Sequence, residues 1–221
     1  MQKPRRIDPL AEKVLMLLSS KPPAGEVVLG GYFALQHYAD YRSTHDIDAW
    51  WKTRADPAAE QVIRDAMSEV AAAEGFKLVE RRFGETISFE LVREGKRRFS
   101  FQIAVRSVQL EPPVQSAWPP ILIETLSDNI GSKMNALVDR GTPRDFTDIR
   151  HLVQAQLTTP QRCWQLWQAK NRNGATDAAK QKMLLHLSAL EARRPLEKIA
   201  DEKERQRAGD VRRWFRDEFL K

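Results

Sequence analysis

A single cysteine, Cys163, stands in a chain of 221 residues. One thiol excludes an internal disulfide and fits a reducing compartment. With no catalytic signature beside it, Cys163 reads as a small buried hydrophobe. The four histidines, His37, His45, His151 and His186, are too scattered for a zinc-ligand spacing. No run of 18 apolar residues occurs, so no membrane-spanning helix is expected. Near the start, Lys3, Arg5 and Arg6 precede an apolar patch that Glu12 and Lys13 interrupt. No small-residue cleavage site follows, so a cytoplasmic chain without a signal peptide is expected. Internal repeats and low-complexity stretches are also missing. The remainder is ordinary globular sequence, 42% hydrophobic and 30% charged, long enough for one large domain or two small ones. A formal charge of +6 is compatible with an anionic partner such as a nucleotide or nucleic acid.

The stretch 27–51 carries the densest signal. Val27-Val28-Leu29 is a short apolar run, followed by Gly30-Gly31 and a helical pattern with Phe33, Ala34, Leu35 and Tyr38 on its apolar side. A polar turn, Arg42-Ser43-Thr44-His45, leads into Asp46-Ile47-Asp48. Two glycines after a strand let backbone approach a ligand, and a following helix turns its free N–H groups toward an anion. On a strand, Asp46 and Asp48 share one face while Ile47 faces the other. Paired carboxylates are hard-oxygen ligands suited to Mg²⁺ in phosphoryl chemistry. Alone, an Asp-x-Asp is an ordinary strand edge and a Gly-Gly an ordinary turn; their order and spacing give the stretch its meaning.

Around it, Asp8-Pro9 and Asp56-Pro57 each open a helix, the second ending at Gly75. Runs over 77–83, 86–92 and 97–105 alternate apolar and polar and predict an antiparallel meander. Its basic residues, Arg81, Arg82, Arg93, Lys96, Arg97 and Arg98, are interspersed with Glu80, Glu85, Glu90 and Glu94, which reads as a solvated sheet face. Proline-rich segments at 111–114 and 118–120 place the expected boundary between a core at 1–115 and a helical domain at 116–221. The second domain is expected to hold helices over 123–139, from Thr142-Pro143, from Thr159-Pro160, and near 175–190 and 195–219. Trp164 and Trp167 are expected in its core. The expected fold class is α/β (α+β), a mixed or antiparallel sheet core with flanking helices.

Gly30-Gly31, a helix and Arg42-Ser43-Thr44-x-Asp46-Ile47-Asp48 resemble the first motif of the AbiEii/AbiGii-type nucleotidyltransferases, within the polymerase-β-like superfamily. A second motif is similar in Glu124 through Lys133, followed by Arg140 and then Arg144-Asp145-Phe-Thr-Asp148-Ile149. The resemblance covers roughly residues 26–152. It implies a nucleotidyltransferase-like core and metal-dependent transfer of a nucleoside monophosphate from an NTP to an acceptor, releasing pyrophosphate. Asp46 and Asp48 would hold Mg²⁺ or Mn²⁺; Gly30, Gly31, Arg42, Ser43 and Thr44 would line the nucleotide, with Arg144 and Asp145 as further nucleotide or helix-joining residues. Lys133 would neutralise phosphate, and Asp148 would orient Lys133 or act as a base.

In some relatives the acceptor is the tRNA 3′ end. A protein acceptor, a cognate antitoxin and a part in phage defence are further implications. One position departs from the pattern. The superfamily commonly supplies a third acid from a neighbouring strand, where this chain has Gln102. Its amide can coordinate but carries no charge and is a poor base. Either metal binding is weaker, or Asp148 or another acid completes the site, or the chain is a catalytically weak protein that binds nucleotide or a partner. Independently of Gln102, the superfamily also leaves open a small-molecule nucleotidyltransferase, as with aminoglycoside-modifying enzymes.

Overall fold

The computed structural model describes residues 1–106 and 108–221. It divides into two compact units, Met1–Asn129 and Ile130–Lys221. The expected α/β class with a mixed sheet and a helical second half is the class observed.

The first unit is built on a sheet whose strands follow their sequence patterns. β1 (Val27–Gly30) is buried along its whole length. β2 (Asp46–Trp51) alternates, with Ile47, Ala49 and Trp51 buried and Asp46, Asp48 and Trp50 half-buried on the other face. β3 (Lys77–Phe83), β4 (Thr86–Arg93) and β5 (Lys96–Ala104) form the meander. The β4–β5 turn has Glu94 and Gly95 both at positive φ (53° and 71°), as a tight hairpin requires. Two short strands, β6 (Val114–Gln115) and β7 (Leu122–Ile123), complete the spatial order β3-β4-β5-β2-β1-β7-β6. Neither was expected, because the prolines around them mask a strand of two residues.

β2 is antiparallel to β1 and parallel to β5. Helices α1 (Pro9–Ser19) and α3 (Pro57–Glu74) pack on the apolar face. Each begins as its Asp-Pro pair predicts: Asp8 and Asp56 accept backbone N–H groups of the first turn, and proline occupies a position whose N–H has no helical partner. Against them lie Phe89, Phe99 and Phe101, each fully buried and worth roughly 1.5–3 kcal/mol of transfer free energy.

A smaller aromatic group in the same unit brings His37 within 5.8 Å of both Phe33 and Trp118, ring centre to ring centre. Burial pushes the His37 imidazole down from 6.5 to about 4, outweighing the Phe33 carbonyl at its Nδ1. The unfolded chain binds this proton near pH 6.5, whereas the folded unit resists it until about pH 4. The stability held by neutral His37 is therefore complete above pH 6.5 and is lost as pH falls through that window. Relative to wild type, His37→Phe should gain about 2–3 kcal/mol in urea unfolding between pH 7 and pH 4.5. An unchanged difference at the two pH values would refute this.

The second unit is helical. α4 (Leu126–Asp139) begins in the first unit, three residues later than expected, because Leu122 and Ile123 belong to β7. It is followed by α5 (Pro143–Gln154), α6 (Pro160–Lys170), α7 (Thr176–Arg193) and α8 (Glu202–Trp214). The expected helix over 195–219 is interrupted. A single 3₁₀ turn (Leu196–Lys198) precedes buried Ile199, and Asp201 then caps α8 by accepting the Glu204 N–H. The chain ends in a π-helical turn, Phe215–Phe219. Phe146, Phe215 and Phe219 pack with ring centres 4.8–4.9 Å apart, and Trp164 joins them at 5.7 Å from Phe219. Trp167 is buried, as expected.

Candidate active site

In the first unit β1 ends at Gly30 and the chain reverses at Gly31, where φ is +58°. A side chain is excluded at both glycines: a Cβ on Gly30 would overlap the Trp50 indole, and one on Gly31 would overlap Asp48 Oδ2. The turn therefore lies directly against the second carboxylate of the Asp-x-Asp pair. The helix that follows, α2 (Gly31–Leu35), is shorter than expected. Tyr38 is not on it; its hydroxyl donates to the Glu124 carbonyl at 3.0 Å. Burial, then the charges of Glu124 and Glu111, push that phenol up to about 12, so it stays protonated.

Asp46 and Asp48 share the face opposite the helices, as their spacing predicts. Register places Ser100 opposite Asp46 and Gln102 opposite Asp48 on β5. Ser100 Oγ donates to Asp46 Oδ1 at 2.7 Å. Arg97 also reaches Asp46 Oδ1 (3.7 Å) and Glu90 (3.9 Å). Simple alternation with Phe99 and Phe101 would send Arg97 into the core, but the pairing slips by one residue near Leu91 and Val92, and this bulge turns Arg97 to the carboxylate face. His45 points elsewhere, with Nδ1 2.5 Å from Asp8 Oδ2 at the α1 cap.

The loop before β2 is tied to α2. Tyr32 OH donates to the Arg42 carbonyl (3.0 Å) and accepts the Arg42 N–H (2.9 Å), while the Arg42 guanidinium lies 3.3 Å from the Tyr32 ring centre. Thr44 Oγ1 spans the Asp46 backbone, accepting its N–H at 3.2 Å. Ser43 is exposed.

A buried polar network behind the glycines draws on Glu124, Asp128 and Asn129 of the second motif, whose partners the sequence did not indicate. Glu124, fully buried, accepts from Asn129 Nδ2 (2.6 Å), Trp50 Nε1 (3.3 Å) and Arg106 Nη2 (2.5 Å). The same Asn129 nitrogen donates to the Gly31 carbonyl at 2.7 Å. Arg106 also pairs with Asp128 at 3.0 Å. Glu124 thus links the glycine turn to β2. The available clue was a carboxylate closing the apolar run Ile121-Leu122-Ile123.

In the second unit Lys133 Nζ donates to the fully buried Asp148 Oδ2 at 2.8 Å. Asp145 receives Arg140 Nε (3.0 Å) and Thr142 Oγ1 (2.7 Å) and closes the capping box of α5. Burial would raise its carboxyl, but the Arg140 and Thr142 hydrogen bonds hold it below the usual range. Arg144 is exposed, and Asp148 pairs with Lys133 rather than with it. Burial lowers His151, against the opposing charge of Asp148.

Chemically, the first unit offers hard oxygens from Asp46 and Asp48 on one face, with the neutral Gln102 amide beside them. Among the described residues no group of three or more His, Cys, Asp and Glu side chains is arranged to hold a metal. As a donor set, two carboxylates on one face would suit a divalent ion whose shell water completes, as Mg²⁺ prefers. The side-chain-free Gly30-Gly31 backbone beside it suits a phosphate group.

A sequence-family model described as "Nucleotidyl transferase AbiEii toxin, Type IV TA system" matches residues 14–217. No curated protein matches the chain. Among solved structures, one from H. pylori, described as a candidate nucleotidyltransferase, superposes with a TM-score of 0.49 at 14% identity, over 95% of this chain and 93% of that one.

Proposed function

Because the chain belongs to the AbiEii nucleotidyltransferase toxin family, we propose that it transfers a nucleoside monophosphate from an NTP to an RNA acceptor, the 3′ end of tRNA in particular. The observation that carries the reading is Asp48 seated against Gly31, with Asp46 on the same face. An acceptor hydroxyl attacks the α-phosphorus, the bond from that phosphorus to the bridging oxygen breaks, and pyrophosphate leaves. A bound Mg²⁺ or Mn²⁺ ion would offset phosphate charge in this displacement.

The chain's own residues prepare it. Gly30 and Gly31 admit the triphosphate without a side chain in the way. Ser100 fixes Asp46 Oδ1, which leaves Oδ2 for the ligand. Arg42, laid on Tyr32, and the exposed Ser43 hydroxyl supply phosphate contacts at the loop, and Thr44 holds that loop in register with β2. In the second unit Lys133, oriented by Asp148, is the cation this reading assigns to phosphate, with Arg144 as a further basic group, and Asp145 holds the start of α5. In this reading the chain is a toxin held in check by a cognate antitoxin.

One observation favours a second reading, a weakly catalytic nucleotide-binding protein. The residue in register with Asp48 is the neutral Gln102, where a third acid would stand.

The experiment is transfer from each α-³²P-labelled NTP, with Mg²⁺ or Mn²⁺, into total bacterial RNA, protein and an aminoglycoside. Label entering tRNA alone supports the proposal. Label in protein or the aminoglycoside moves the acceptor to that class. Nucleotide binding with no transfer under either ion establishes the second reading.

A further inference from the structure

Arg212, on α8, is only 6% exposed. Its Nη2 donates to the carbonyl of Arg194, at the end of α7, at 2.7 Å, and its Nε is buried without a partner. Among the described residues no carboxylate comes within 4.0 Å of this guanidinium. Buried charges are ordinarily paired, because desolvating an unpaired one costs several kcal/mol. Capping α7 accounts for one of the five N–H donors that arginine carries.

Three nearby acids are engaged elsewhere, while Glu197, which also lines the cleft, is exposed and pairs with no cation among the described residues. Glu191 takes Arg216 at 2.6 Å, Glu204 takes Arg194 at 2.7 Å, and Asp210 lies 3.9 Å from Arg213. Arg212 forms part of the wall of a cleft of about 430 Å³, which Arg213, Arg216, Glu191, Pro195 and Leu196 also line. Gly209 and the exposed Glu197 complete it. The π-helical turn keeps Phe215 and Phe219 inside while Arg216 stays exposed beside Glu191. Such turns recur at functional sites. The cleft size suits a small ligand.

We propose that this cleft binds the phosphate group of a small phosphorylated ligand, with Arg212 as its inner charge and Arg213 as its outer one. Guanidinium forks match phosphate oxygens in geometry and charge. Pro195 and Leu196 give the rest of the ligand an apolar wall. The cleft is built from second-unit residues alone, and its proposed binding does not depend on nucleotidyl transfer.

The test is thermal unfolding and calorimetric titration of the full chain with inorganic phosphate and, separately, a nucleoside monophosphate. EDTA is present and ionic strength is fixed with NaCl. Wild type should melt about 2–4 °C higher at a phosphate concentration several times the dissociation constant. Arg212→Met should melt at or above wild type without phosphate, having lost an unpaired buried charge, and should show no phosphate shift. Arg213→Ala should keep its melting temperature in chloride and bind at least about five-fold more weakly, a loss readable even where Arg212→Met fails to fold. A wild-type chain that responds no more to phosphate than to chloride would overturn the proposal. So would variants that respond as wild type does.

Discussion

Asp48→Asn is expected to lower nucleotidyl transfer about 10³-fold, and the Asp46→Asn/Asp48→Asn double variant to abolish it. Each substitution keeps the shape of its side chain and removes the charge that makes it a ligand for a divalent ion. The two positions should differ in detail. Asp46 Oδ1 is already committed to Ser100, so Asp46→Asn must also re-pair the Ser100 hydroxyl. Asp48 lies against Gly31, so the loss there falls directly on the glycine turn. Both side chains are half-buried rather than core, and melting temperatures should shift by no more than a few degrees. Steady-state transfer from labelled NTP, with Mn²⁺ affinity measured in parallel, checks this. A double variant that retains wild-type transfer would place the chemistry elsewhere in the chain. Loss of transfer with undiminished Mn²⁺ affinity would show that the carboxylates do not act by holding the ion.

The local features of this arrangement were legible in the sequence because each is enforced by near neighbours. Asp-Pro pairs start α1 and α3 through caps made within one turn. Alternation in 46–51 fixes which face Asp46 and Asp48 occupy, and the two glycines mark a turn that tolerates no Cβ. What the sequence hid depends on partners distant in the chain. Glu124 meets Trp50 across 74 positions and Asn129 meets Gly31 across 98, and no periodicity encodes such pairs. Arg97 was hidden for another reason. A one-residue bulge reverses the facing that alternation predicts, turning a solvated arginine toward Asp46. β6 and β7 were hidden by brevity, since two residues carry no period. The short α2 shows the converse error: the apolar pattern through Tyr38 looks helical, yet Tyr38 is drawn to the Glu124 carbonyl instead.

Glu124→Ala is expected to destabilise the first unit by about 3–5 kcal/mol, the cost of breaking a buried ion pair from one side. Arg106, whose side chain is 9% exposed, would keep Asp128 but lose its 2.5 Å partner. Trp50 Nε1 would lose its acceptor, and Asn129 would hold Gly31 without the carboxylate that orients it. For a chain of this size the loss corresponds to roughly 10 °C in melting temperature. Glu124→Gln is the sharper probe. Asn129, Trp50 and Arg106 all present donors to the two carboxylate oxygens, so an amide must turn its own NH₂ toward a donor. Its cost should be about 1–3 kcal/mol despite the near-identical shape. Combining Glu124→Ala with Arg106→Ala should be less destabilising than the sum of the two, because the second change removes the charge stranded by the first. Strict additivity would mean that the pair contributes no coupling. Full stability in Glu124→Gln would show that the carboxylate charge is dispensable, and that shape alone holds the glycine turn against β2.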